Sequence, residues 1–122
     1  MRRVLLDEGV PIGVRWLVAG FPVDSAAQLG WAGLANGDLI EMAEQAGYDV
    51  MITADQNISY QQNLTGRRLA LIVLMSNHWD TIRANAEGIL PAVEAAMPGS
   101  YATIHFPTPP RRRRPYPPSS AS

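Results

Sequence analysis

The chain has 122 residues, a length suited to one domain with a single core, and 47% apolar with 17% charged residues describes a folded body. It contains no cysteine and no lysine, which excludes disulfide scaffolds, zinc–thiolate centres, cysteine nucleophiles, Schiff-base chemistry and P-loop phosphate binding. The net charge of −1 hides an asymmetry: positions 111–114 carry four of the ten arginines, leaving six arginines against eleven acids, or −5, in residues 1–110.

In chain order, residues 3–6 read as a first apolar strand ended by Asp7-Glu8. Pro11 suits a helix first turn, and Val10, Val14, Leu17 and Val18 share one face of a helix that Gly20 can end. A short second strand is expected around residues 21–24, followed by a glycine-rich but hydrophobic stretch, 28–34. Asn36 reads as the N-cap of a helix running to Ala46, with Leu39, Ile40, Ala43 and Ala46 facing the core and Gly47 at the stop position.

A third strand follows over residues 49–53, then the polar loop Asp55-Gln56-Asn57 and one helical turn over 59–63. Residues 69–75, apolar on both faces, belong in the centre of a covered sheet. Residues 80–97 are helical by period, but Pro91 collides with the carbonyl of Glu87, so a break near residues 88–90 is expected. Residues 101–106 make a last strand, and the Pro-, Arg- and Ser-rich segment from residue 107 reads as a disordered tail. Strands alternating with helices specify an α/β fold with a mostly parallel five-stranded sheet.

In such a sheet, strand C-termini and helix N-termini share one edge, where ligands bind. Asp7 and Glu8 follow the first strand, Asp55 and Asn57 the third, and Asp38 and Glu41 occupy the first turns of the intervening helix. Gathered carboxylates repel one another unless a cation joins them. With no lysine in the chain and no arginine in these motifs, Mg²⁺ or Mn²⁺ is the natural counter-charge, able to activate water against a phosphodiester. The same aspartates also suit plain helix capping. Gln61, Gln62 and Asn63 either line the pocket or form a polar turn, and His78 either approaches the pocket or lies on the surface. Trp31 and Trp79 are expected to pack rather than to stack on bases.

The segments Val-Leu-Leu-Asp-Glu-Gly-Val-Pro, Leu-Gly-Trp-Ala-Gly-Leu-Ala-Asn-Gly-Asp-Leu-Ile and Ile-Thr-Ala-Asp-Gln-Asn-Ile, with Tyr-Gln-Gln-Asn-Leu, together resemble the small standalone PIN-like proteins over residues 2–106. The resemblance implies a three-layer α/β/α sandwich over residues 1–106 and a metal-dependent endoribonuclease ancestry, as in the toxins of toxin–antitoxin pairs. It places Asp7 and Asp55 as the first and later acids and Asp38 or Glu41 as the helix acid. It also implies an RNA substrate and an antitoxin partner, and leaves a homodimer open. Such relatives often read Asp-x-Asp where this chain reads Asp55-Gln56-Asn57; Asn57 keeps an oxygen ligand but loses a charge and a base. The expected strand order is 2-1-3-4-5, which sets the first and third strands side by side.

Two rivals stand beside this reading. A phosphorelay receiver shares the acid pattern but requires a lysine, which the chain lacks. A non-catalytic binding protein on the same fold is compatible with Asn57. The acid at residues 7–8 cuts the opening apolar run too early for a signal peptide, and no stretch approaches the roughly 20 apolar residues of a membrane span, so a cytoplasmic protein is expected.

Overall fold

A computed structural model describes residues 2–58, 64 and 66–107. The chain runs β1 (Val4–Leu6), α1 (Val14–Leu17), β2 (Val23–Ser25), α2 (Asn36–Gln45), β3 (Val50–Thr53) and β4 (Ala70–Leu74). Then come α3 (Trp79–Ala84), a 3-10 turn (Ala86–Gly88), α4 (Ile89–Ala95) and β5 (Tyr101–Ile104). The five strands form one sheet in the order β2-β1-β3-β4-β5, the order expected, and every pairing is parallel.

The strand residues alternate between two apolar clusters, as the period of two dictates. Val4, Leu6, Val50, Ile52, Ala70, Ile72 and Leu74 pack with Val14 of α1, Ile82 of α3, and Ile89 and Val93 of α4. Leu5, Met51, Leu71 and Val73 pack with Leu39, Ile40 and Ala43 of α2 and with Ile58. Burying both faces is what allows β1 and β4 to be apolar throughout and β3 to be apolar up to Thr53. Trp31 joins the second cluster and meets Tyr48 edge-on, while Trp79 joins the first, so both tryptophans with sequence-expected packing roles do pack.

Several elements differ in extent from the sequence reading. The first helix is one turn, Val14–Leu17, with Pro11 ahead of it rather than in its first turn; the Val14 amide donates to the Pro11 carbonyl. Val10, Val14 and Val18 are nevertheless buried on one side, as their spacing requires. The second strand sits slightly later, at Val23–Ser25. The break forced by Pro91 is present as the 3-10 turn between α3 and α4, which puts the proline in the first turn of α4, where its missing amide costs nothing. Gly47 ends α2 at φ +88°, a left-handed conformation that glycine adopts without a Cβ penalty. No helix among the described residues is long and apolar enough to cross a membrane. The turn expected over residues 59–63 and the tail from residue 108 lie outside the described residues.

Candidate metal centre

The register fixes the site. β1 and β3 pair with Leu6 opposite Ile52, and the Asp7 amide continues the ladder by donating to the Ile52 carbonyl at 2.9 Å. The next residues along, Asp7 and Thr53, therefore emerge side by side at the C-terminal edge. Thr53, fully buried, donates its hydroxyl to Asp7 Oδ2 at 2.8 Å. The same Oγ1 accepts the Asp55 amide at 3.1 Å, so one hydroxyl ties the two aspartate-bearing loops together.

The remaining carboxylate oxygens are placed by short local bonds. Asp7 Oδ1 accepts the Glu8 amide at 2.7 Å, and Asp55 Oδ1 accepts the Asn57 amide at 3.0 Å. Asp55 Oδ2 accepts the Asn36 side-chain amide at 2.9 Å. This corrects the capping role expected of Asn36: it is the first residue of α2, Ala35 occupies the cap position, and no side-chain cap bond forms. Its side-chain amide donates across to Asp55, a charge-assisted bond to a carboxylate. Glu8 ties down the glycine-rich stretch, with Oε1 accepting the Gly33 amide at 2.6 Å. Gly33 holds φ +88°, a left-handed conformation that suits glycine.

Asp7, Glu8, Gly9, Leu34, Asn36, Ala54, Asp55 and Asn77 line a cleft of about 300 Å³. An adjoining cleft of about 490 Å³ shares Ala54, Asp55 and Asn77 and adds Gln56, Asn57, Ser76 and His78. The structure thus brings Asp7 and Asp55 to one opening and sets Asn57 and His78 beside it. Asn36, Thr53 and Asn77 are site residues that the sequence reading missed. Thr53 carried a usable signal, as the one polar residue of an otherwise apolar strand, two positions before an aspartate.

Asp38 and Glu41 do not line either cleft. Asp38 is exposed in the first turn of α2. Glu41, one turn further from the edge, accepts Arg67 Nη1 at 3.0 Å and Gln45 Nε2 at 3.0 Å. Arg67 also binds Glu44 at 2.8 Å, and these two bonds, Glu41's first, raise the arginine's pKa. Burial pushes the Glu44 carboxyl up, but the Leu69 amide, the Arg67 guanidinium and the Arg68 amide outweigh it and hold the group below the usual glutamate value. That cluster lies where β4 begins, at the opposite edge of the sheet from Asp7, and it joins α2 to the sheet.

The donor set suits a hard cation. Asp7 and Asp55 offer carboxylate oxygens, and Asn77 and Asn57 add amide oxygens in the clefts. Each aspartate oxygen accepts one hydrogen bond among the described residues and carries two lone pairs, so a cation can bind without displacing a donor. No group of three or more His, Cys, Asp or Glu able to hold a metal occurs among the described residues. A two-carboxylate set matches Mg²⁺, which commonly takes one or two carboxylates and keeps water or phosphate oxygens as its other ligands.

No family model, curated protein or solved structure matches the chain.

Proposed function

We propose that the chain is a PIN-like, three-layer α/β/α protein acting as a Mg²⁺- or Mn²⁺-dependent endoribonuclease. The observation that carries this reading is the pairing of Asp7 and Asp55 through the Thr53 hydroxyl at the C-terminal edge of neighbouring parallel strands. Asp7 and Asp55 would hold the metal, with Asn57 and Asn77 as neutral oxygen donors at the rim. Neither helix acid is part of this proposed set, because Asp38 and Glu41 line neither cleft and the Glu41 carboxylate is engaged by Arg67. When bound, the metal would supply activation of water for attack on a phosphodiester. Thr53 fixes the orientation of the Asp7 carboxylate, and Asn36 does the same for Asp55. Both bonds hold the acids in place before any ligand arrives, so less ordering is left for binding to supply.

A toxin role with a protein antitoxin, and a cytoplasmic location, belong to the same proposal. A non-catalytic binding protein is the second reading. It is favoured by Asn57 in place of an acid and by the two-carboxylate donor set. RNA cleavage separates the two. The nuclease reading expects Mg²⁺- or Mn²⁺-dependent cleavage of single-stranded RNA that Asp7→Asn reduces at least about a hundredfold in kcat, with the fold intact by circular dichroism. Equal cleavage by wild type and variant would overturn it.

A further inference from the structure

The sheet ends in two edge strands, β2 and β5, and they are finished differently. On β2 the Val4 amide donates to the Pro22 carbonyl and the Ala26 amide to the Leu6 carbonyl, so even-numbered residues bond β1 and Val23 and Ser25 turn their backbone groups outward. The outward groups of Ser25 are already used. Its amide donates to Gln28 Oε1 at 3.0 Å, and its carbonyl accepts the Leu29 amide at 3.2 Å. Between Val23 and Ser25 stands Asp24, a charge that repels its own copy and guards the edge against self-pairing.

β5 carries neither device. The Leu71 amide donates to the Ser100 carbonyl and the Met75 amide to the Ile104 carbonyl, both at 2.9 Å, so here too even-numbered residues bond the neighbouring strand. Tyr101 and Thr103 therefore turn their amides and carbonyls to the open edge, where no described residue bonds them. Residues 101–103 are exposed, Tyr101 at 42%, and no Asp, Glu or Arg occurs between residues 95 and 110. Ile104 and Phe106 both pack against the cluster under α1, α3 and α4, so the alternation of an extended strand runs on past His105. The run is bounded by Gly99, whose φ of +73° is not extended, and by Pro107, which has no amide to donate. Its midpoint is Thr103.

We infer that β5 pairs antiparallel with β5 of a second copy of this chain, about a twofold axis through Thr103. This register sets outward groups against outward groups: Thr103 faces the second copy's Thr103, and Tyr101 faces the second copy's His105, for about six backbone hydrogen bonds. Thr beside Thr is a favourable cross-strand pair, and no like charges are opposed. A twofold contact demands a surface complementary to itself, and an uncharged strand whose free groups are centred on one residue is such a surface. The contact joins two five-stranded sheets into one and sets the two C-terminal edges, with their clefts, on opposite sides of it. It stands independently of the nuclease reading.

The test is sedimentation equilibrium of the full chain. Reversible dimerisation is expected, with a Kd on the order of 10 µM, in keeping with a small transient contact. Thr103→Pro removes an outward amide without touching the β4 ladder, and Thr103→Lys opposes two like charges at the axis. Each should weaken the dimer at least about tenfold, with the fold kept by circular dichroism. The chain has no cysteine, so single-cysteine variants read which edge pairs. A short bismaleimide should link Thr103→Cys chains into dimers and leave Val23→Cys chains monomeric.

A wild type that stays monomeric at several hundred micromolar would overturn the inference. A dimer indifferent to both Thr103→Pro and Thr103→Lys would do the same, as would crosslinking that runs faster through Val23→Cys. Oligomers that grow past the dimer with concentration would also overturn it, because a twofold contact closes on itself. Should one Thr103 variant fail to fold, the other and the crosslinking pair still decide.

Discussion

Thr53 Oγ1 donates a 2.8 Å hydrogen bond to Asp7 Oδ2 from the end of the neighbouring strand and itself accepts the Asp55 amide. Thr53 is fully buried, so removing its hydroxyl leaves the Asp55 amide and Asp7 Oδ2 each without a partner. Thr53→Val, equal in shape, should cost about 1–3 kcal/mol in urea unfolding and weaken Mg²⁺ binding. Thr53→Ser keeps the hydroxyl and should lose about 1 kcal/mol or less, with metal binding retained. Equal losses in the two variants would reduce Thr53 to a packing residue.

Asn36→Asp sets a carboxylate where an amide now donates to Asp55. Without metal, the two charges repel and the melting temperature should drop by roughly 5 °C. Mg²⁺ should recover much of that loss, because the added charge strengthens the cation site. A variant whose melting temperature is indifferent to Mg²⁺ would count against a cation at this edge.

Glu44 joins α2 to the start of β4 through Arg67 and the amides of Arg68 and Leu69, with its side chain only 15% exposed. Glu44→Ala should cost about 2 kcal/mol at neutral pH, read by denaturant unfolding. The Glu44 carboxyl is held below its ordinary value in the folded state, so its contribution is present above the unfolded pKa, near 4.5, and is lost as pH falls through the lower folded pKa. The gap between wild type and variant should therefore close in acid and stay constant near neutrality.

Gly99 holds φ +73°, and a Cβ there would lie 2.9 Å from the Arg67 carbonyl oxygen. Gly99→Ala should destabilise by about 1–3 kcal/mol by both routes, strain and clash, and the urea midpoint reads it. The clefts lie at the other edge, so Mg²⁺ affinity of the folded variant should be unchanged.

The strands were legible in the sequence because a residue buried on both faces must be apolar, and Val4–Leu6, Val50–Thr53 and Ala70–Leu74 carry that signature. Asp7 and Asp55 could be placed together because parallel pairing puts every strand's C-terminus at one edge. Finer assignments depended on contacts that no local pattern encodes. Asn36 suits a cap by residue type, but its choice of Asp55 as acceptor depends on where the β3 loop passes. Glu41 and Asp38 lie three residues apart on one helix, and the partner that engages Glu41 is Arg67, 26 residues away. Thr53 reads as a strand terminus until its register against Asp7 is known.

The most direct measurement of the central claim is calorimetric titration of the metal-free chain with Mg²⁺ and Mn²⁺, in parallel with Asp7→Asn and Asp55→Asn. A single cation site held by these two carboxylates predicts saturable binding in the wild type, weakened at least about tenfold by either substitution while the fold is kept. Absence of saturable binding in the wild type, or equal binding in all three chains, would contradict it.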